Sequence, residues 1–583
     1  MEAQTKTCQN CKNDFIIEPD DFSFYEKIKV PPPTFCPECR MQRRLAWRNE
    51  RVLFKRKCDA PNHTEILISI YPPEGNVVVY DHDFWNSDEW NPLVYGMEYD
   101  FNKPFFTQFK ELLSKVPVIS LFDSKSTNSS YCNVTVEHKN CYLVSAGWNN
   151  EDSLYSNRIS YCKDTCDSYV CHKTEFGYEN VYCKESNRLF YSLNCESCVD
   201  SYFLYDCRGC IDCIGCTNLR NKSYCVFNKQ YTKDQYKDFL SENNMGSRNI
   251  LLKIKNEFQK LYMEAIHRFA HLIKTENVVG DNVENSQNCY WCFDMAGDSQ
   301  NVKYSNWSTY GLRDSYDTGP GTGGKSELTY EGVSIGVNNN RCTFGCIIWY
   351  CHDVFYSFWL QNCSNCFGCV SLKNKQYCIF NKQYSKEEYF SQLEKIIKQM
   401  KNLPYIDKQG IKYQYGEFFP IEFSPYPYNA TVGQDYTPIT KEYALENNYF
   451  WRDETEKNYK PTLIFNKLPD TINNIDESIL DQIISCANTD FSKNGCTKAF
   501  RIIRQEFDFY KRFNIPIPQY CPNCRHDNRL KQRNPMKLWH RQCMCEKENH
   551  NHSGKCQVEF ETSYSTDRPE IVYCEKCYQQ EIY

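Results

Sequence analysis

No run of about 18 apolar residues occurs in the chain, so no helix is expected to span a membrane. The first residues, MEAQTKTCQN, are polar and lack the apolar h-region of a signal peptide, which reads as a cytoplasmic protein. Positive charge is not in excess. The 68 Lys and Arg face 74 Asp and Glu for a net charge of −6, so nucleic acid could be held only by a local patch. His267 and His271, four apart on an expected helix, have Arg268 where HExxH needs Glu, and GPGTGG (319–324), although Lys325-Ser326 follows it, sits on no expected strand-to-helix turn as a phosphate loop needs.

What the chain has is 36 Cys, 44 Tyr and 36 Phe among 583 residues. The aromatics favour short, aromatic-packed strands. In a reducing cytosol the cysteines read as metal ligands or as small buried apolar groups, not as disulfides.

Two internal duplications organise the sequence. Residues 11–58 match 496–543 without a gap at an offset of 485, with Cys11 on Cys496, Cys36-Pro37 on Cys521-Pro522 and Arg44-Leu45 on Arg529-Leu530. In the middle, CIGCTNLRNKSYCVFNKQYTKDQY (213–236) matches CFGCVSLKNKQYCIFNKQYSKEEY (366–389). Thr232 with Gln235, and Ser385 with Glu388, predict capping boxes that open helices. A finer beat precedes each NKQY, at Asn140, Asp152, Asp167, Asp200 and Asp212, and again at Asn288, Asn301, Asp314, Asn340, Asp353 and Asn365. Asx residues at a short fixed period, each followed by a brief apolar stretch, predict the stacked corners of a β-solenoid. One 12–13-residue unit is short for a full coil, so a coil of two units is expected, with a repeated β-meander as the competing reading.

Cys8-x2-Cys11 and Cys36-x2-Cys39 form two knuckles that together offer zinc a closed tetrahedron of thiolates, a structural site. The C-terminal copy keeps Cys496, Cys521 and Cys524, but Lys493 replaces the partner of Cys8, and Cys486 is the expected fourth ligand. A further cluster follows: Cys574-x2-Cys577, with Cys543 or Cys545 and Cys556 completing it, and His550 and His552 read as exposed loop residues. The matching N-terminal stretch has Asp81 and Phe84 at the positions of Cys574 and Cys577. Its remnant of Cys58, His63, His82 and Asp81 would need an awkward loop, so zinc there is expected to be weak or absent. About three structural zinc ions are thus expected.

Cys207, Cys210, Cys213 and Cys216 repeat every third residue, as in an iron–sulfur run, but lack its longer last step and following proline. The second copy has Leu360 in place of Cys207, which favours buried hydrophobes. Basic segments follow both zinc modules. Arg40, Arg43, Arg44, Arg48 and Arg51, with Arg525, Arg529 and Arg533, are the candidate nucleic-acid contacts; the competing reading has them pair with acids and dock the modules on the solenoid.

PPPTFCPECRMQRRLAWRNE, the paired NKQY segments, YGEFFPIEFSPY and RPEIVYCEKCYQQE resemble a family of large zinc-ribbon-ended, Cys/Tyr-rich repeat proteins from small-genome uncultured bacteria. Some members carry a CoA-transferase-type name, a chemistry that no residue here supports. The resemblance implies a zinc-binding protein, from which this chain departs at Lys493 and in its spacing before Cys496.

The expected fold is mainly β with helices, a duplicated β-solenoid-like centre flanked by zinc-ribbon modules. In order these are a zinc-ribbon module (1–58), a connector with a degenerate second ribbon (59–130), repeat copy one (131–240), a helical linker (241–280), repeat copy two (281–395), a connector (396–484) and the C-terminal zinc-ribbon modules (485–583). A helix is expected over 249–274. The leading functional expectation is a non-enzymatic scaffold or binding protein whose partner is nucleic acid or another protein. The alternatives are a carbohydrate-active enzyme, which needs carboxylates stacked on successive rungs, and an iron–sulfur redox protein.

Overall fold

The computed structural model describes residues 2–453, 460–488 and 495–583, which form a mainly β protein with helices between and around its sheets. In two stretches the backbone pairs in parallel with itself. From Asp123 to Val226 the step is twelve residues: Asp123 pairs with Thr135, Lys139 with Glu151, Glu151 with Lys163, and Ile211 with Ser223. From Leu272 to Ile379 the step varies, being 11 at Leu272–Val283, 13 at Gln287–Gln300, 14 at Tyr316–Tyr330 and 12 at Asn340–His352. One sequence unit, not the expected two, thus separates parallel neighbours, and both ladders run parallel where a meander would run antiparallel.

The dihedral angles show how so short a unit turns back on itself. From Lys125 to Phe227 every third residue has a positive φ near +50°, so twelve residues have four corners joined by three-residue sides. Asn140, Asp152, Asp167, Asp200 and Asp212 lie at such corners, as do Asn288, Asn301, Asp314, Asp353 and Asn365. Asn340 does not; its neighbour Arg341 does. A left-handed residue costs about 1–2 kcal/mol, least for Asn and Asp. Hydrogen bonds between rungs offset it: the Asn140 amide donates to Thr127 O at 3.0 Å and the Lys139 amide to Asn150 O at 2.9 Å. Side chains add ladders of their own, Asn128 donating to Asn140 at 2.9 Å and Asn140 to Asp152 at 3.0 Å.

The residue after most corners turns inward. Cys207, Cys210, Cys213 and Cys216 follow four successive corners and are fully buried. Ser153, Ser156, Thr165, Ser168, Ser186 and Ser201 fill equivalent positions. The cysteines that composition flagged are largely the small apolar filling of a narrow bore, and their thiols donate to its backbone carbonyls. Cys207 Sγ lies 3.5 Å from Tyr205 O, and Cys216 Sγ 3.3 Å from Ile214 O. Burial pushes the Cys141, Cys162 and Cys342 thiols up to about 12, which keeps them protonated.

Each NKQY closes a ladder. Val226 pairs antiparallel with Lys229, and Ile379 with Lys382, around Phe-Asn turns with two positive φ values. Asn228 and Asn381 accept from the amides of Thr217 and Val370 at 2.9 and 2.8 Å. The helices Lys233–Glu242 and Lys386–Asn402 then begin with the two capping boxes.

The helix expected over 249–274 is shorter, Arg248–Glu264, because Ile266–Arg268 pairs as a strand with Ile571–Tyr573. His267 and His271 therefore share no helical face. His267 Nδ1 meets the Tyr205 hydroxyl at 2.8 Å and His271 Nδ1 meets Asp281 at 3.2 Å.

Candidate metal centres

Each end of the chain folds into hairpins and short helices whose N-termini are cysteines. Cys36 caps Pro37–Leu45, Cys521 caps Pro522–Leu530 and Cys574 caps Glu575–Ile582. In all three the next Cys lies three residues on, within the first turn, so both thiols face the positive end of the helix. In each the capping amide donates to a thiol from a preceding hairpin: Cys36 N to Cys8, Cys521 N to Cys486 and Cys574 N to Cys543, each at 3.2 Å. Asn10 and Asn488 donate to Cys39 and Cys524, both at 3.3 Å.

Three sets of four thiols result: Cys8, Cys11, Cys36 and Cys39; Cys486, Cys496, Cys521 and Cys524; and Cys543, Cys556, Cys574 and Cys577. Within each the sulfur atoms lie within 4.8 Å of one another. Cys11–Cys36 is 3.7 Å, Cys496–Cys521 3.9 Å and Cys556–Cys574 4.0 Å, where a tetrahedral zinc thiolate needs about 3.8 Å between sulfurs. Such sets could hold metal ions, and four thiolates in this spacing fit zinc. Hydrogen bonds from Cys36 and Cys39 hold the Cys8 thiol well below its usual value, and Cys486 and Cys524 do the same for Cys521.

The choice left open between Cys543 and Cys545 thus falls to Cys543, and Cys545 lies outside the four-thiol set. Cys486 stands in one set with Cys496; Lys493 lies outside the described residues. His550 and His552 are not the exposed loop residues expected: both are partly buried and, with Cys545 and Cys577, form a further converging group. The N-terminal remnant also converges without a long loop, because a turn brings the His63 amide to Ala60 O. Its members are Cys58, His63, Glu65 and Asp81, without His82, which bonds Asp123 O instead. There His63 Nδ1 is already shared between Glu65 at 2.7 Å and Asp81 at 3.0 Å, and Phe84 packs edge-on against His63 and Tyr80.

The basic segments point inward, which corrects their reading as a nucleic-acid surface. Arg40 Nε lies 2.9 Å and Arg44 Nη1 3.0 Å from the two oxygens of Asp317, a corner residue of the second ladder. Arg525 and Arg529 clasp Asp167, a corner of the first ladder, at 2.5 and 2.8 Å. Arg43 bridges Glu331 and Glu417. Arg48 bonds Glu50, Ser334 and Pro320 O, and packs against Gly321, where a Cβ would stand 2.6 Å from its guanidinium. Arg51 reaches Asn523, and Arg533 donates to Asp435 O and stacks on Tyr436. Arg40, Arg43, Arg44, Arg525 and Arg529 are at most 2% exposed, so a phosphate backbone cannot reach them. Their partners lie hundreds of residues away, and no local signal in the sequence separates a docking arginine from a solvated one.

Carboxylates do stand on successive rungs, as Asp152 with Asp164 and Asp200 with Asp212, but a cation occupies one of each pair. Arg512 pairs with Asp164 at 2.9 Å, and Arg188 with Asp200. Cys207, Cys210, Cys213 and Cys216 are not among the converging metal-ligand groups of the described residues.

No family model matches this chain, and no curated protein does. A solved structure named as an acetyltransferase from Desulfovibrio desulfuricans G20 aligns at 11% identity over 51% of this chain and 87% of its own, with a TM-score of 0.09. A similarity that slight carries no argument about fold or chemistry.

Proposed function

We propose that the protein is a zinc-stabilised scaffold, in which structural zinc at both ends locks the modules onto a duplicated β-solenoid whose outer faces serve a protein partner. The observation that supports this most is the threefold recurrence of one closed thiol geometry, with the same amide-to-sulfur bond at 3.2 Å. Four thiolates leave a metal no open position, which fits a structural and not a catalytic ion. The arginine pairs add to it, because they tie the helices that carry two of these sites to Asp317 and Asp167. The resemblance to zinc-ribbon-ended repeat proteins agrees with the reading.

Limited proteolysis with a strong chelator tests it. Zinc in small ribbons supplies on the order of 10 kcal/mol of folding energy. Chelation is expected to open residues 1–58 and 485–583 to cleavage and to spare the ladders. Unchanged cleavage of both ends would refute the reading.

A further inference from the structure

Beside the third four-thiol set stands a second donor set that shares a member with it. Cys545, His550, His552 and Cys577 bring two thiols and two imidazole nitrogens within 4.8 Å of one another, and Cys577 belongs to both sets. Cys545 Sγ is 3.0 Å from His550 Nδ1, and Cys577 Sγ is 3.4 Å from His552 Nε2. Cys545 is fully buried, and only 4% of the His550 side chain is exposed.

The remaining ring nitrogens point to a metal. His550 Nε2 meets Glu581 at 3.0 Å, and His552 Nδ1 meets Gly554 O at 2.8 Å. Metal-bound histidines have this arrangement: one nitrogen faces the ion while the other donates to a carboxylate or a backbone carbonyl, which fixes tautomer and orientation. Each imidazole thus keeps the nitrogen that faces a thiol free of its proton and able to act as a ligand. The loop is shut to hold them there by the Cys556 amide, which donates to Cys545 O at 2.9 Å.

We infer that the C-terminal module holds a two-metal centre, with a second zinc bound by Cys545, His550, His552 and a Cys577 thiolate that bridges both ions. Charge favours the pairing. A zinc on four thiolates carries a net charge of −2, and a second zinc with one more thiolate and two neutral imidazoles brings the pair to −1. Neither of the other two four-thiol sets has such a neighbour among the described residues, so the fourth ion belongs to this end alone. The inference rests on the zinc reading proposed above and goes beyond it in stoichiometry and in the bridge.

Native mass spectrometry of the full chain, expressed with zinc, tests it together with magnetic susceptibility after cobalt(II) exchange. Four metal ions are expected per chain, against three for His550→Ala/His552→Ala and for His552→Ala alone. In the cobalt form the moment per ion should fall when the fourth site fills, because a bridging thiolate couples the two spins antiferromagnetically, and the histidine variants should lose that drop. Three ions in the full chain with no change in the histidine variants would overturn the two-metal centre alone. A chain that holds no metal would overturn the zinc reading as well.

Discussion

Asp317 and Asp167 each neutralise two buried guanidinium groups from one helix, Arg40 with Arg44 and Arg525 with Arg529. Removing a carboxylate from such a cluster leaves buried charge uncompensated, which costs about 3–5 kcal/mol. Asp317→Asn and Asp167→Asn are each expected to lower stability by about that much in chemical denaturation, whereas Glu151→Gln, in the exposed ladder with Lys139 and Lys163, should leave the midpoint unchanged. Equal midpoints for all three would show that the docking is held by aromatic packing, such as Phe24 on Tyr316 at 4.0 Å, and not by charge. A second contrast concerns cysteine. Cys210 fills the bore, so Cys210→Ser should cost about 1 kcal/mol or less and leave the metal content unchanged, because serine fills equivalent positions. Cys36→Ser should lose one metal ion. Native mass spectrometry of the two variants separates the roles.

At the scale of elements, the Phe-Asn hairpin ends each ladder, and its asparagine combines a positive φ with a bond to the preceding rung. Asn381→Ala should therefore destabilise by about 1–3 kcal/mol, and Asn381→Gly by less, because glycine keeps the backbone shape while losing the bond. Equal losses measured by thermal melting would place the whole effect in the side-chain bond. How much of this was legible depended on the residue at each corner. Asn and Asp announce turns, so the twelve-residue beat could be read from Asn140, Asp152 and Asp212. The three-residue side could not, because Tyr155, Val170, Glu185 and Phe203 occupy the same left-handed conformation without any turn signature. The signal that carried that period was Cys207-x2-Cys210-x2-Cys213-x2-Cys216, the inward positions of successive sides. The capping boxes were legible because their chemistry is local. The end of the helix at Glu264 was not, because a strand three hundred residues away decides it.

Across the whole molecule, the ends cross over. The N-terminal module clasps the second ladder and the C-terminal module the first, and the paired aromatics Phe24-Tyr25 and Phe509-Tyr510 repeat the contact, Tyr25 against Tyr330 at 5.5 Å and Tyr510 against Tyr178 at 5.9 Å. Closure of the chain on itself therefore depends on both end modules being folded, which makes their metal centres the central claim. Knuckle spacing made most of their ligands readable from sequence. Cys543 over Cys545 was not readable, because both follow the same strand within three residues and only the hairpin geometry separates them. Anomalous diffraction from crystals of the full chain, recorded on either side of the zinc edge, tests the claim most directly. The account predicts peaks within the Cys8/Cys11/Cys36/Cys39, Cys486/Cys496/Cys521/Cys524 and Cys543/Cys556/Cys574/Cys577 sets, and none along the column of Cys207, Cys210, Cys213 and Cys216. A peak inside that column, or none at the three four-thiol sets, would contradict it.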